Sequence, residues 1–476
     1  MTAFAPGLGT GPLHALRKAH SERHATRQLQ TADSPTRWST TGTASDAVII
    51  YIPEGQHYLL DQNADHRILV IEGSLAFADE ADITLDAEII IVNGGELKIG
   101  TADAPFTHAA TITLHGSQAS VNLPVFGAKV LGLTTGKILM YGTPKTSWLH
   151  LAATAAAGAS TLSFSESPTG WQVGDEIIIT STSEENEFCS ITREDNCQLE
   201  EATILSVVGT TVTLTAPLQY SHLGVTDNVG GRAVSVRAEV ANLGRNVKIQ
   251  GSQDDNEYFG GHTLLMQPTD GESAFNYVEL FYMGQDASIE RYPLHFHGVS
   301  KTDPANTLGD VSGSTVLGTS IHHSFNRAIN IHGAGGLLIQ DCVAYKNFGH
   351  TFFIEDGSET HNTFRETVVV IQLTFTSIMY GRTMVFAIWK RIYLLKSNSL
   401  FRRFLKKCIA SWPHCDGCTS STWSKQHILV FKKQKWYNVV SILAKTSRSQ
   451  LPETVFFMMF RFQKHANICN NICSNI

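Results

Sequence analysis

The sequence predicts an all-β protein that contains a parallel β-helix. Two observations carry this prediction: strand patterns divided by glycine in the first half of the chain, and a repeated segment in the second. From Trp38 to about His150, short β-branched runs such as AVIIYIPEG and AEIIIVNGGELKIG are separated by turn signals about every 8 to 15 residues. No long helical pattern interrupts them. The first half is therefore expected to be built from many short strands.

The repeated segment occurs as YPLHFHG at 292–298, RAINIHG at 327–333 and TFFIEDG at 351–357. The interval of 23 residues between His332 and Glu355 is typical of a solenoid with one strand per coil. Apolar and polar residues alternate in each copy, as they do in strands with one buried face. The inward positions are Phe296, Ile331 and Ile354, and the outward positions are His297, His332 and Glu355.

Stacking in register would place the outward residues in a row, about 4.8 Å apart. Outward residues of a β-helix are mostly solvated, so one histidine there means little, but three polar residues in a row predict a site. The predicted catalytic residues are Glu355, His332, His297, Asp356 and Asp286. The predicted substrate-binding residues are Arg291, Arg327, His295, His350 and Glu359.

Charge and glycine divide the chain. Residues 366–476 hold 16 of the 36 Lys and Arg residues but only 3 of the 43 Asp and Glu residues, and only 2 of the 38 glycines. The folded part is thus acidic, and the tail carries no recognisable binding motif, so a nucleic-acid partner is not expected. The predicted parts are a disordered leader (1–36), a glycine-rich β domain (37–165), a β-rich connecting region (166–236), β-helix coils (237–365) and a basic tail (366–476).

Three motifs resemble the G-eight domain: IPEGQHYLLD, LVIEGSLAF and WQVGDEIIITST. Four later motifs resemble the β-helix of the cell-migration-inducing, hyaluronan-binding proteins: GGHTLLM, ERYPLHFHG, SIHHSFNRAINIHG and GHTFFIEDGSETHN. The cell-surface hyaluronidase and the fibrocystin-like receptors share both parts. The resemblance covers roughly residues 38–364. It implies a G-eight domain followed by a right-handed parallel β-helix, in an extracellular or cell-surface protein that acts on or binds hyaluronan, with calcium as a possible requirement.

Two functions stay open at this stage, a hyaluronidase-like glycosidase and a non-enzymatic carbohydrate-binding module. Hydrolysis needs one carboxyl as acid and a second as nucleophile or base. Glu355 is the first choice, with Asp356, Glu359 or Asp286 as the second carboxyl. A lyase would instead use a neutral base, with Arg291 or Arg327 or calcium neutralising the uronate carboxylate.

Four further features bear on the location of the protein and on its cysteines. The first 30 residues lack the apolar stretch of a signal peptide. Cys189 and Cys197 bracket a polar loop and could form a disulfide or remain free thiols. The apolar run TVVVIQLTFTSIMY at 367–380 invites membrane association, although it is shorter than the roughly 20 residues of a membrane span. The tail motif HCDGC lacks a second ligand pair for zinc.

Overall fold

The computed structural model describes residues 35–42, 48–182, 198–253, 258–298, 309–357, 359–373, 428–433 and 436–441. The leader as far as residue 34, the loop with Cys189 and Cys197, and most of the basic tail lie outside the described residues, and predictions about them stay predictions.

The first eight strands run in parallel and belong to one large sheet. They are β1 (Thr36–Arg37), β2 (Ile49–Ile52), β3 (His57–Leu60), β4 (Ala64–Ile71), β5 (Ser74–Phe77), β6 (Ile83–Ile99), β7 (Ala110–Leu114) and β8 (Val130–Tyr141). A single 3-10 turn, Trp38–Thr40, follows β1.

The next eight strands leave this sheet and pair in antiparallel fashion. They are β9 (Trp148–His150), β10 (Thr161–Ser163), β11 (Glu176–Ile179), β12 (Glu200–Val208), β13 (Thr211–Leu214), β14 (Gly224–Val229), β15 (Arg232–Arg237) and β16 (Glu239–Asn242). Strands β14 and β15 form a hairpin apart from the other six, which make one sheet.

The chain then returns to the large parallel sheet. The strands are β17 (Val247–Gly251), β18 (His262–Pro268), β19 (Ala274–Asn276), β20 (Val278–Phe281), β21 (Leu294–His297), β22 (Gly309–Asp310), β23 (Thr315–Leu317), β24 (Ser320–Ser324), β25 (Ile329–His332), β26 (Ala334–Gly335), β27 (Leu338–Gln340), β28 (Val343–Phe348), β29 (Phe352–Ile354), β30 (Thr363–Arg365) and β31 (Val368–Leu373). A second 3-10 turn, Thr269–Gly271, precedes β19. Strands β22 and β26 pair only with each other.

The strand pairings confirm the predicted parallel β-helix and extend it backwards. Strand β7 pairs in parallel with β17, and β8 with β18 and β19, so the early and late strands form one continuous solenoid. The chain therefore leaves the solenoid near residues 141–148 and re-enters it near residues 242–247, whereas the sequence suggested domain boundaries at residues 165 and 236. No local sequence pattern indicates that the early strands pair with the late ones, because about a hundred residues of chain separate them.

The antiparallel insertion, residues 148–242, has a small core of its own and packs on the solenoid. Ile178, Ala241 and Leu243 bury their side chains against Val343 and Tyr345 on the outer face of the coils. Such burial is worth roughly 25 cal/mol per Å² of apolar surface, so the insertion covers this face stably.

One buried cation joins the insertion to the coils. Arg245 lies at the junction, where its Nη1 donates to the carbonyl oxygens of Asn242 and Gly244 and its Nε to that of Gly318. Its backbone N–H donates to the carboxylate of Glu279 at 2.9 Å. A buried charge is tolerated only when it is hydrogen-bonded in this way.

The solenoid also continues past the predicted boundary at residue 365. Strand β31 pairs in parallel with β28, with Tyr345 opposite Val370. The first residues assigned to the tail by charge therefore belong to the β-helix, because the apolar run VVVIQL continues the strand pattern. Strands β32 (Ile428–Lys433) and β33 (Trp436–Ser441) form a separate antiparallel pair.

The predicted alternation is confirmed at the repeated segment. Phe296 pairs with Ile331 and Ile331 with Ile354, while His297 pairs with His332. Phe296 and Ile331 are completely buried in the main core. Ile354 keeps the register but is only half-buried, because no described strand continues the stack beyond it on this face.

This alternation predicts that substitutions at adjacent positions lower stability by very different amounts. Ile331→Ala should lower the free energy of unfolding by about 2–5 kcal/mol, because it leaves a cavity in the core. His332→Ala, one residue later on the outer face, should lower it by less than about 1 kcal/mol. Chemical denaturation of the two variants measures the difference, and equal losses would contradict the assigned register.

Candidate functional site

The outer face changes character along the stack of coils. In the earlier coils the positions equivalent to His295 are apolar, as at Val70, Ile91 and Leu264, and Leu123 and Phe126 from the loop between β7 and β8 cover them. Glu72, Asn93 and Thr134 lie beside these residues and hydrogen-bond to one another. From β21 onwards the face carries histidines, and no comparable apolar cover accompanies them among the described residues.

The structure brings His297, His332 and Glu355 together on neighbouring coils. The rings of His297 and His332 are 4.5 Å apart between centroids and tilted by 72°. Glu355 directly follows β29, and its backbone N–H donates to the carbonyl oxygen of Ile331 at 3.0 Å. The ladder thus fixes the backbone position from which each of these side chains projects.

Glu355 is held by the coil below it. Asn330 donates from Nδ2 to one carboxylate oxygen at 2.9 Å, and Nη1 of Arg327 lies 3.5 Å from the other. Nδ1 of His332 lies 3.9 Å from the oxygen that Asn330 contacts. These contacts restrict the orientation of the carboxylate.

Arg327 is itself fixed in place by two aromatic rings. Its guanidinium stacks 3.7 Å from the ring centre of Phe353 and 5.0 Å from that of Tyr292, and Nη1 donates to the Tyr292 hydroxyl at 2.6 Å. His350 stacks on the same Phe353 ring at 5.2 Å. A guanidinium held flat against aromatic faces keeps its charge beside Glu355 at low entropic cost.

Asp356 and Glu359 have different surroundings. Asp356 is more than half exposed, and its carboxylate lies 3.3 Å from Nε2 of His332. Glu359 is buried and accepts hydrogen bonds from the backbone N–H groups of Gly333 and Asp356. Its carboxylate therefore braces the two turns that follow the strands, while Asp356 faces the open side of the row.

His295 lies beneath the row and is completely buried. Its Nδ1 is 3.3 Å from the carbonyl oxygen of Glu290, and since a carbonyl only accepts, Nδ1 carries the hydrogen. Burial, and then the neighbouring His297, keep the pKa of His295 well below its usual value. Burial and His332 likewise lower the pKa of His297, so both imidazoles are neutral near pH 7.

Two predicted residues point away from the cluster. Arg291 packs its guanidinium against the backbone of Gly127, where a Cβ would come within 2.6 Å of Nε. Burial lowers the pKa of Arg291 and raises that of Asp286. Among the described residues, neither side chain contacts His297, His332 or Glu355.

Sequence reasoning missed three contributors to the site: Glu290, Tyr292 and Asn330. Glu290 lies 3.9 Å from Nε2 of His297, but it sits in the turn before β21, where strand periodicity gives no signal. Asn330 shares the outward parity of His295 and could have been chosen on that ground. Tyr292 was visible only as the first residue of the repeated segment.

Comparison with known proteins agrees with this architecture. A family model described as the G8 domain matches residues 37–152, and one described as the CEMIP β-helix matches residues 258–387. The chain belongs to the family that joins a G8 domain to a CEMIP β-helix. The resemblance read from the motifs is thereby confirmed.

The relatives of this G8 and β-helix protein are much longer. It is 36% identical to fibrocystin-L of Mus musculus over 396 residues, covering 74% of this chain and 9% of that protein. It is 36% identical to the cell surface hyaluronidase CEMIP2 of Homo sapiens over 208 residues, covering 40% of this chain and 14% of that protein. The chain therefore spans only a small part of either relative.

Among solved structures, the Gp54 tailspike of Acinetobacter baumannii bacteriophage AP22, in complex with a capsular saccharide, covers 67% of this chain and 53% of its own at 11% identity. The TM-score of this comparison is 0.20. Separately, no helix within the described part of the chain is long and apolar enough to cross a membrane.

A buried histidine next to the row predicts how stability depends on pH. His262 donates from Nε2 to the carbonyl oxygen of Phe126 at 2.7 Å, and its Nδ1 accepts from the Gln285 amide at 3.2 Å. Burial, and then the charge of Arg291, lower its pKa to about 3. Between that value and about 6.5, its usual pKa, the unfolded chain binds a proton that the folded chain does not.

Stability should therefore fall as the pH falls through this window, by about 1.4 kcal/mol per pH unit for this one group. His262→Gln, which removes the titrating ring, should reduce the slope of unfolding free energy against pH by that amount. Urea unfolding at several pH values between 4 and 7 measures it. Identical slopes in the parent protein and the variant would show that His262 titrates normally.

Proposed function

We propose that this chain is a hyaluronidase-like protein of the cell surface or extracellular space, and that it hydrolyses hyaluronan at the row formed by His297, His332, Glu355 and Asp356. One observation carries the proposal: two carboxylates contact the same imidazole from opposite nitrogens. Glu355 lies near Nδ1 of His332, and Asp356 near Nε2. The hyaluronidase named among the relatives supports the choice of substrate.

The pair of carboxylates supplies the two groups that hydrolysis needs. The imidazole of His332 lies between them, 3.9 Å from Glu355 and 3.3 Å from Asp356, so both carboxylates face the same part of the row. One carboxyl gives its proton to the leaving glycosidic oxygen as the bond from C1 breaks. The other takes a proton from the water whose oxygen bonds to C1.

The two carboxylates have different surroundings. Arg327 and Asn330 fix the position of Glu355, while Asp356 is the more exposed of the two. Tyr292 is buried, and the Arg327 guanidinium lies over its ring and over that of Phe353, so the two aromatic rings hold the arginine beside the row.

The alternative is a non-enzymatic carbohydrate-binding module of the fibrocystin-like type. The specific observation in its favour is that fibrocystin-L aligns with 74% of this chain, against 40% for the hyaluronidase. The same row would then bind the polymer without cleaving it.

Removing either carboxyl should stop cleavage while leaving the fold intact. Glu355→Gln and Asp356→Asn should each reduce hyaluronan depolymerisation by at least about a hundredfold, the scale of losing an acid or base. Chain length of high-molecular-weight hyaluronan, followed over time with and without calcium, measures the effect. Both reactions release new reducing ends, so an ultraviolet-absorbing unsaturated sugar on the other fragment indicates elimination, and new reducing ends without it indicate hydrolysis.

The insertion provides a matched control. Glu239 is as exposed as Glu355, at 20%, and lies 3.5 Å from a nitrogen of His150. Glu239→Gln should therefore leave the activity unchanged. Full activity in the Glu355 and Asp356 variants would place the chemistry elsewhere, and binding without cleavage by the parent protein would favour the module.

A further inference from the structure

Two imidazoles and a carboxylate at the inner end of the row have the spacing of a metal site. One ligand atom from each of His295, His332 and Glu355 lies within 4.8 Å of the others. Ligand atoms at about 2.1 Å from a tetrahedral zinc ion are roughly 3.4 Å apart, so the three side chains would have to close by up to about 1.4 Å.

The hydrogen bonding of His295 is what a metal ligand requires. Its Nδ1–H donates to the carbonyl oxygen of Glu290, which leaves the lone pair on Nε2. Metal-binding histidines usually donate their other N–H to a carbonyl or carboxylate in this manner, since the contact fixes tautomer and ring orientation. The main chain therefore prepares this imidazole to bind an ion.

Three buried polar atoms around this point have no hydrogen-bond partner within the described residues. They are Nε2 of His295, Nδ1 of His332 and Oδ1 of Asn330. Leaving a buried polar atom unsatisfied costs about 1–3 kcal/mol. Their convergence beside the Glu355 carboxylate is explained if an ion completes the cluster.

The local charge leads to the same conclusion. Glu290, Glu355 and Asp356 bring three carboxylates to the row, against two guanidinium groups, Arg327 in contact with Glu355 and Arg291 near enough to Glu290 to interact with its charge. A polyanion such as hyaluronan would be repelled by the excess negative charge. A bound divalent cation would remove that excess.

We infer that His295, His332 and Glu355 bind one divalent transition-metal ion of the zinc type. Imidazole nitrogens suit zinc and its neighbours in the first transition row, whereas calcium takes six to eight oxygen ligands. The donor set of this cluster therefore does not fit calcium, the ion that the resemblance suggested. That the ion also receives a uronate carboxylate of the polymer rests on the proposed function, but the metal site itself does not.

A second triad shares His332. Glu290, His297 and His332 also place ligand atoms within 4.8 Å of one another, but all three are half-buried. His295 favours the inner triad because it alone is completely buried and already oriented by the main chain. The inner triad would bind the ion through His295 and Glu355 beside His332, and the outer triad through His297 and Glu290.

Direct metal binding tests the site without any polysaccharide. The full chain, stripped of metal and carrying Cys415→Ser and Cys418→Ser so that the tail thiols do not compete, is titrated with Zn²⁺ and separately with Ca²⁺. One zinc equivalent should bind, and calcium should bind far more weakly. Glu355→Gln and His332→Ala should weaken zinc binding by more than about a hundredfold, beyond the 10–100-fold typical of residues that only contact a ligand.

The controls separate this site from the rest of the molecule. Glu239→Gln and His150→Ala, the matched pair in the insertion, should not change zinc affinity, and Asp356→Asn, which removes a contact to the other nitrogen of His332, should weaken it by no more than about 10–100-fold. His295→Ala is expected to release the ion as well, and if that variant does not fold, His332→Ala carries the test because its side chain is half-buried.

Three results would overturn the inference: no stoichiometric zinc binding by the parent protein, unchanged affinity in Glu355→Gln, or loss of zinc in Glu290→Gln alone, which would assign the ion to the outer triad. The proposed function is tested separately. If the chain binds zinc through His332 and Glu355 but leaves hyaluronan intact, the metal site stands and the proposed hydrolysis is refuted.

Discussion

The parallel hydrogen-bond ladder between coils is the constraint on which everything else in this structure depends. Because strands β21, β25 and β29 stack in register, each residue lies directly over its counterpart one coil away. A slip by one residue would turn Phe296 and Ile331 outward and the two histidines inward. The apolar core therefore also determines the order of the polar row.

The polar row lowers the stability of the fold. Completely buried His295 and Asn330 project from the outer face, where the earlier coils carry apolar residues such as Val70 and Ile91. Replacing apolar side chains with polar groups that lack partners weakens packing and adds desolvation costs. Local conflicts of this kind in an otherwise consistent fold are typical of functional sites.

Much of this could be predicted from the sequence, because the information is local. Period-two alternation and a terminal glycine were enough to find the coils, their register and the outward position of His297, His332 and Glu355. Residues in turns gave no such signal, so Glu290 was missed. Arg291 was expected at the site, but its side chain packs on Gly127, a contact between segments more than 160 residues apart that no periodicity reveals.

The arrangement of the larger pieces was less predictable for the same physical reason. Parallel pairing between β7 and β17 joins residues separated by the entire insertion, and the insertion then covers one outer face through Tyr345 and Ile178. The loop carrying Phe126 covers the early coils of another face. Among the described residues, that cover ends before β21, where the coils containing His297, His332 and Glu355 begin. The position of the site is thus determined by which outer faces the rest of the chain covers, as well as by the residues that line it.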